Sequence, residues 1–190
     1  MPELPEVEAV VRSLRPELEG ARLRRLRLVD DRLRPLPLAA IAGRDVVRVE
    51  RSGKNILLAL DGGGRPPLWL AIHLRMTGKL VWARHVAEEE AKRVRARFEL
   101  DREDLLFVDT RRFGTLRVAR TRDEAGPTGI DPLAPAFSTR RLTAMLDGSR
   151  QSIKAWLLRQ DRLAGLGNIY ASEILHAAGI HPEQAAGRLT

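Results

Sequence analysis

The chain begins Met1-Pro2-Glu3-Leu4-Pro5-Glu6-Val7-Glu8, and the residues just after Met1 carry its most reactive combination. Once Met1 is removed, Pro2 presents a secondary amine with one lone pair and no bulky side chain in front of it. An α-amino group titrates at about 7.7–8.0, far below a lysine, so much more of it is unprotonated near neutrality. Such an amine can attack a sugar carbon or a carbonyl and pass through a Schiff base. Glu3 and Glu6 lie beside it and can move protons. A plainer reading is open on the same residues. Pro2 and Pro5 can simply start a helix, with the carboxylates facing its positive end.

Further along, Lys54 in Ser52-Gly53-Lys54 precedes an apolar run and projects from a strand end, either as an ordinary surface lysine or as a placed charge. Met76 sits in His73-Leu74-Arg75-Met76-Thr77-Gly78, and Arg111 and Phe113 in Asp109-Thr110-Arg111-Arg112-Phe113-Gly114. Taken alone, Met76 reads as core and Phe113 as a loop anchor. In Ala164-Gly165-Leu166-Gly167-Asn168-Ile169-Tyr170-Ala171 the glycines let the backbone approach a phosphate, and N–H groups at a helix start attract anions. Asn168 can equally be a plain N-cap, and both roles can hold at once. Lys154, on the preceding helix, can add charge against the same phosphate backbone.

The elements that must position these residues follow from periodicity. Val7, Val10, Val11 and Leu14 mark an amphipathic helix stopping near Gly20, with Pro5 in a first turn where a missing N–H is harmless. The period then falls to two. Short runs around residues 23–28, 46–49, 54–60, 68–74, 79–83, 94–100, 104–109 and 115–119 predict strands, and their spacing predicts a sandwich or barrel-like sheet pair. Gly126-Pro127, Gly129, Pro132 and Pro135 break the pattern. After the break it is helical: Ser138 caps a helix to about Leu146, Ser149 caps one carrying Ile153, Trp156, Leu157 and Leu158, and a last helix runs from Asn168 through Ala178 to Gly179 at its C-terminal cap. The expected organisation is α+β, with an N-terminal helix and β-sandwich domain over residues 1–122, a linker over 123–137 and a helical, helix–two-turn–helix domain over 138–190, with a groove between the two domains.

Composition narrows the partner. Lys and Arg number 33 against 25 Asp and Glu, a net charge of +8, which favours a polyanion; arginine spread over solvated faces is the alternative source of the same excess. No run approaches the roughly 20 apolar residues of a membrane span, and the charged start is no signal peptide. With no cysteine, disulfides and thiolate metal sites within the chain are excluded.

Taken in order, the five stretches quoted above resemble bacterial formamidopyrimidine-DNA glycosylases, from Pro2 to about Pro182. The resemblance implies base-excision repair of oxidised purines such as 8-oxoguanine and formamidopyrimidines by a bifunctional glycosylase and abasic-site lyase. Pro2 is then the nucleophile at C1′, Glu3 the general acid and base, Glu6 a supporting carboxylate and Lys54 an active-site contact to phosphate, with the strand cut by β- and then δ-elimination. Met76, Arg111 and Phe113 fill or brace the gap left by an extruded base. Asn168 and Lys154 hold the DNA backbone. His73 to Gly78 departs from the endonuclease VIII branch, which acts on oxidised pyrimidines and is the nearer alternative; a non-catalytic DNA-binding fragment is the other. Arg159 stands where relatives often carry an acid. Relatives continue past the equivalent of Pro182 into a lesion-contacting loop and a four-cysteine zinc finger, so this chain reads as truncated or naturally short, with no cofactor expected within it. The expected partner is double-stranded DNA carrying oxidised bases or abasic sites, bound by a monomer in a bacterial cytoplasm at the nucleoid.

Overall fold

In the computed structural model, residues 1–189 are described; Thr190, the last residue of the expected helical domain, lies outside the described residues. Residues 1–51 and 55–126 cluster as one compact unit, and residues 52–54 with the chain from Pro127 onward as a second.

The N-terminal unit opens with α1 (Leu4–Leu18), whose Val7, Val11, Leu14 and Leu18 are buried. Their spacing of three and four residues sets them on one face, and each contributes roughly 1.5–3 kcal/mol relative to exposure. That burial anchors the helix whose first turn carries Glu6. Eight strands follow: β1 (Arg22–Leu28), β2 (Arg44–Ser52), β3 (Asn55–Asp61), β4 (Leu68–His73), β5 (Gly78–Trp82), β6 (Val94–Leu100), β7 (Leu105–Asp109) and β8 (Thr115–Ala119). They form one antiparallel sheet in the order β5-β7-β6-β1-β2-β3-β4-β8. Phe98, Leu105 and Phe107 of β6 and β7 share a core with Ile56, Leu58, Leu70 and Ile72 of β3 and β4, and with α1. In a flat sheet β7 and β4 would stand about 24 Å apart, at about 4.8 Å per strand, which no side chain spans. The sheet therefore folds over its own core, which makes the two layers expected from the strand spacing.

The second unit has its own core, built from Leu146, Ile153, Trp156, Leu157, Leu163, Leu166, Ala171 and Leu175. Its helices are α2 (Thr139–Leu146), α3 (Ile153–Leu157) and α4 (Asn168–Ala178). Ser138 caps α2, its Oγ accepting the Arg141 N–H at 3.3 Å, and Gly179 ends α4 in the left-handed conformation with φ +66°.

Three sequence readings change here. Ser149 does not cap α3; Ser152 is its N-cap, because the backbone of Ser149 and Gln151 is spent on the chain at Ala186 and Gly187, whose N–H groups donate to Gln151 and Ser149 carbonyls at 2.9 Å. Asn168 is the first residue inside α4 rather than its cap, since Gly167 takes the extended N-cap conformation. The expected linker divides. Arg122–Ala125 is a single helical turn in the N-terminal unit, capped by Thr121, whereas Gly129 and Ile130 donate to the Gln160 and Arg162 carbonyls within the helical unit.

Candidate active site

The first turn of α1 places the N-terminal group. Glu3 is its N-cap, and the Glu6 Oε2 accepts the Glu3 N–H at 2.9 Å. The carboxylates thus take part in starting the helix and, by doing so, fix the backbone next to Pro2. Glu3 is buried, Pro2 is half-buried and Met1 is 40% exposed.

Lys54 falls in the helical unit, with Lys154 and Asn168. It occupies the turn between β2 and β3 and is buried, not an ordinary surface lysine. Gly53 makes that position possible. Its φ is +58°, and a Cβ there would stand 2.7 Å from Pro127 Cγ and 3.3 Å from Ala164 Cβ, so only glycine lets this turn pack against the Ala164–Gly165 backbone. That backbone is shaped by Gln160, whose Oε1 accepts the Gly165 N–H at 3.0 Å while its Nε2 donates to the Leu158 and Leu166 carbonyls at 3.0 and 2.8 Å. The Gly165 N–H is thus already committed, and Asn168 and Ile169 at the start of α4 are exposed. Lys154 lines a cavity of about 440 Å³ with Ser172, His176, His181 and Pro182.

In the N-terminal unit, the structure brings Met76, Arg111 and Phe113 together on two turns. Met76 and Phe113 are 46% and 50% exposed, so neither is core. The Arg111 guanidinium lies over the Phe113 ring at 4.8 Å. The buried Asp109 joins the turns. Its Oδ1 accepts from Thr77 Oγ1 at 2.5 Å and from the Arg111 N–H at 3.2 Å, and its Oδ2 accepts the Gly114 N–H at 2.7 Å. Thr77 Oγ1 in turn accepts the Arg111 N–H at 3.0 Å. Each turn passes through a left-handed arginine, Arg75 at φ +52° and Arg112 at φ +58°, a conformation that costs of order 1 kcal/mol or more for a residue with a Cβ. Gly78 and Gly114 close the turns tightly. A Cβ would collide with the Leu74 carbonyl oxygen at the first and with Phe107 Cζ at the second.

Arg112 is held by Asp30, at the end of β1. Arg112 Nε and Nη2 donate to the two carboxylate oxygens at 2.6 and 2.5 Å, a two-pronged pairing of planar groups. These bonds hold the Asp30 carboxyl down to about 2 from its ordinary 3.8, against burial, which pushes it up; the Arg32 N–H and the charges of Arg112 and Arg95 add to the lowering. A carboxyl lowered on folding stabilises the fold fully above its unfolded value and loses that contribution as protons bind. The stability difference between the wild-type chain and Asp30→Asn is therefore expected to shrink as pH falls from 3.8 towards 2, measured by urea unfolding across that range. A difference independent of pH would show that the pair contributes nothing.

Sequence reasoning missed Thr77 and Asp109 as joints, although both stand inside quoted stretches, and missed Asp30 and Gln160 altogether. Asp30 pairs with a residue 82 positions away and leaves no local signal.

Among the described residues no group of three or more His, Cys, Asp or Glu side chains could hold a metal ion, and the chain has no cysteine. The residues present therefore do not fit the four-cysteine zinc site that the resemblance places further along in relatives. No helix of the described residues is long and apolar enough to cross a membrane.

The profile of the formamidopyrimidine-DNA glycosylase N-terminal domain matches residues 1–116, and that of the formamidopyrimidine-DNA glycosylase H2TH domain matches residues 128–190. The formamidopyrimidine-DNA glycosylase of Chloroflexus aurantiacus is 42% identical over 206 residues, covering 100% of this chain and 70% of the relative. The crystal structure of the MutM (FPG) protein from Thermus thermophilus is similar with a TM-score of 0.85 at 38% identity, covering 100% of this chain and 69% of that one. A Lactococcus lactis FPG mutant in complex with Fapy-dG-containing DNA is similar with a TM-score of 0.85 at 30% identity, covering 100% and 71%. Two domain profiles in order, identity near two residues in five and a shared fold over the whole length leave one assignment: the chain belongs to the formamidopyrimidine-DNA glycosylase family.

Proposed function

We propose that this chain removes oxidised purines, 8-oxoguanine and formamidopyrimidines, from double-stranded DNA and then cuts the strand at the resulting abasic site. The observation that carries this reading is the ordered start of α1 in a member of this family: the Glu6 carboxylate holds the Glu3 N–H, and the residue before Glu3 is the proline whose amine can act as nucleophile. The Pro2 nitrogen forms a bond to C1′ as the bond from C1′ to the damaged base breaks, its electron pair leaving with the base. The base takes up a proton and the amine gives one up, and Glu3 is the group placed to carry them. The nitrogen lone pair then opens the sugar, breaking the bond from C1′ to O4′ as O4′ takes up a proton, and the iminium so formed makes the 2′ hydrogen acidic. Its loss expels the 3′ phosphate by β-elimination, and a second elimination expels the 5′ phosphate.

The remaining groups bind and hold. Met76, Phe113 and Arg111 project from their turns as an apolar wedge and a hydrogen-bonding arm, suited to a gap left by an extruded base and to its widowed partner. Lys54 contacts phosphate near the lesion, while Lys154 and Asn168 hold the backbone. The stretch from His73 to Gly78 supports oxidised purines over pyrimidines.

Borohydride trapping of the purified chain on duplexes carrying 8-oxoguanine, an abasic site or neither tests the proposal. Covalent adduct is expected with the first two and not the third. Adduct at the abasic site alone would confine the chain to lyase chemistry, and no adduct, with Met1 confirmed absent, would refute it.

A further inference from the structure

We propose that Asp30 is a positioning residue for the wedge, acting through Arg112 to hold Arg111 and Phe113 outward; this rests on the wedge role proposed above. Arg112 lies between those two residues at φ +58°, where glycine would be free of strain. Its side chain, though 40% exposed, ends on the buried Asp30 with both carboxylate oxygens engaged. Its neighbours on the turn, Arg111 and Phe113, are exposed and stack on each other.

A second tie supports the first. Arg95 Nε donates to the Asp109 carbonyl at 2.8 Å and stands 4.0 Å from Asp30 Oδ2, so one guanidinium connects the foot of the turn to the same carboxylate. The turn is clamped at its foot by Asp109 and Arg95 and at its middle by Arg112. The Asp30 side chain is only 3% exposed, so it does not touch DNA itself and acts through the turn.

The consequence is selective. A turn free to swing presents the stacked Arg111 and Phe113 in many orientations, which matters while a base is being driven out of a stacked duplex. It does not matter for a sugar that is already unpaired and carries no base.

The test compares trapping rates of wild type and Asp30→Asn on duplex 8-oxoguanine DNA and on a single-stranded oligonucleotide with one abasic site. Misplacement of a group by an ångström or so costs up to about a hundredfold, so a loss of about tenfold to a hundredfold is expected on the duplex. The single-stranded rate should not change. Arg112→Gly, at a position 40% exposed, accepts the positive φ while removing the tie, and is expected to show the same split even if Asp30→Asn does not fold. Equal losses on both substrates, no loss on either, or wild-type duplex activity in Arg112→Gly would overturn the proposal. Wild type that traps neither substrate would instead overturn the Pro2 reading on which it rests.

Discussion

A preparation that retains Met1 is expected to form no borohydride-stable adduct with abasic DNA, and aminopeptidase removal of Met1 to restore it. With Met1 attached, the Pro2 nitrogen is an amide whose lone pair is shared with the carbonyl, and it cannot attack carbon. The Met1 amine that replaces it as the terminus sits one residue further out, about 3.8 Å along the chain, which removes it from reacting distance and costs more than about a hundredfold. Met1 is 40% exposed, so an aminopeptidase can reach it. Pro2→Gly keeps an amine at the terminus but not the secondary one, and trapping should be largely lost there too. Glu3→Gln separates proton transfer from folding. The Glu6 bond at 2.9 Å goes to the Glu3 backbone N–H and survives the substitution, and the glutamine oxygen can still accept the Glu6 N–H that the Glu3 side chain caps, so the expected loss of about a hundredfold to ten-thousandfold reports proton movement. Wild-type trapping by the Met1-retaining chain would remove Pro2 from the mechanism.

Asp109→Ala is expected to be the most damaging single change to the N-terminal turns. Three donors converge on the buried carboxylate: the Thr77 hydroxyl and the N–H groups of Arg111 and Gly114. Removing the acceptor leaves them to find new partners or go without, at about 2–4 kcal/mol in total after relaxation. Asp109→Asn should be nearly as harmful. One amide oxygen can replace only one carboxylate oxygen, and the NH₂ group would point a donor at the donors of Gly114 or of Thr77 and Arg111. Thr77→Val, which removes one donor and one of the two acceptors of the Arg111 N–H but leaves the carboxylate in place, should cost less than either. Urea unfolding gives the stability loss, and amide hydrogen exchange at Arg111 and Gly114 gives its location. Unchanged protection of those two amides in Asp109→Ala would show that the turns are held by something else.

The sequence determined by itself whatever is decided within a few residues. The burial of Val7, Val11 and Leu14 on one helical face, the alternation that produces β1 to β8, the Ser138 cap and the left-handed Gly179 all follow from local spacing and backbone preference, and the structure shows each of them. The Glu3–Glu6 contact belongs with these, since it spans three residues. Tertiary structure alone decided the rest. Whether Ser149 or Ser152 starts α3 depends on Ala186 and Gly187, and whether residues 129 and 130 are a linker depends on the chain near Gln160. Thr77 meets Asp109 across 32 positions because β5 pairs with β7, and Arg112 meets Asp30 across 82 because β6 alone separates β7 from β1 in the sheet. A carboxylate looks the same in a sequence whether it is solvated or holds a turn. The difference lies in which donors the fold brings within about 3 Å of it, and that is settled by strand order and the cost of closing long loops, neither of which is written in any local pattern.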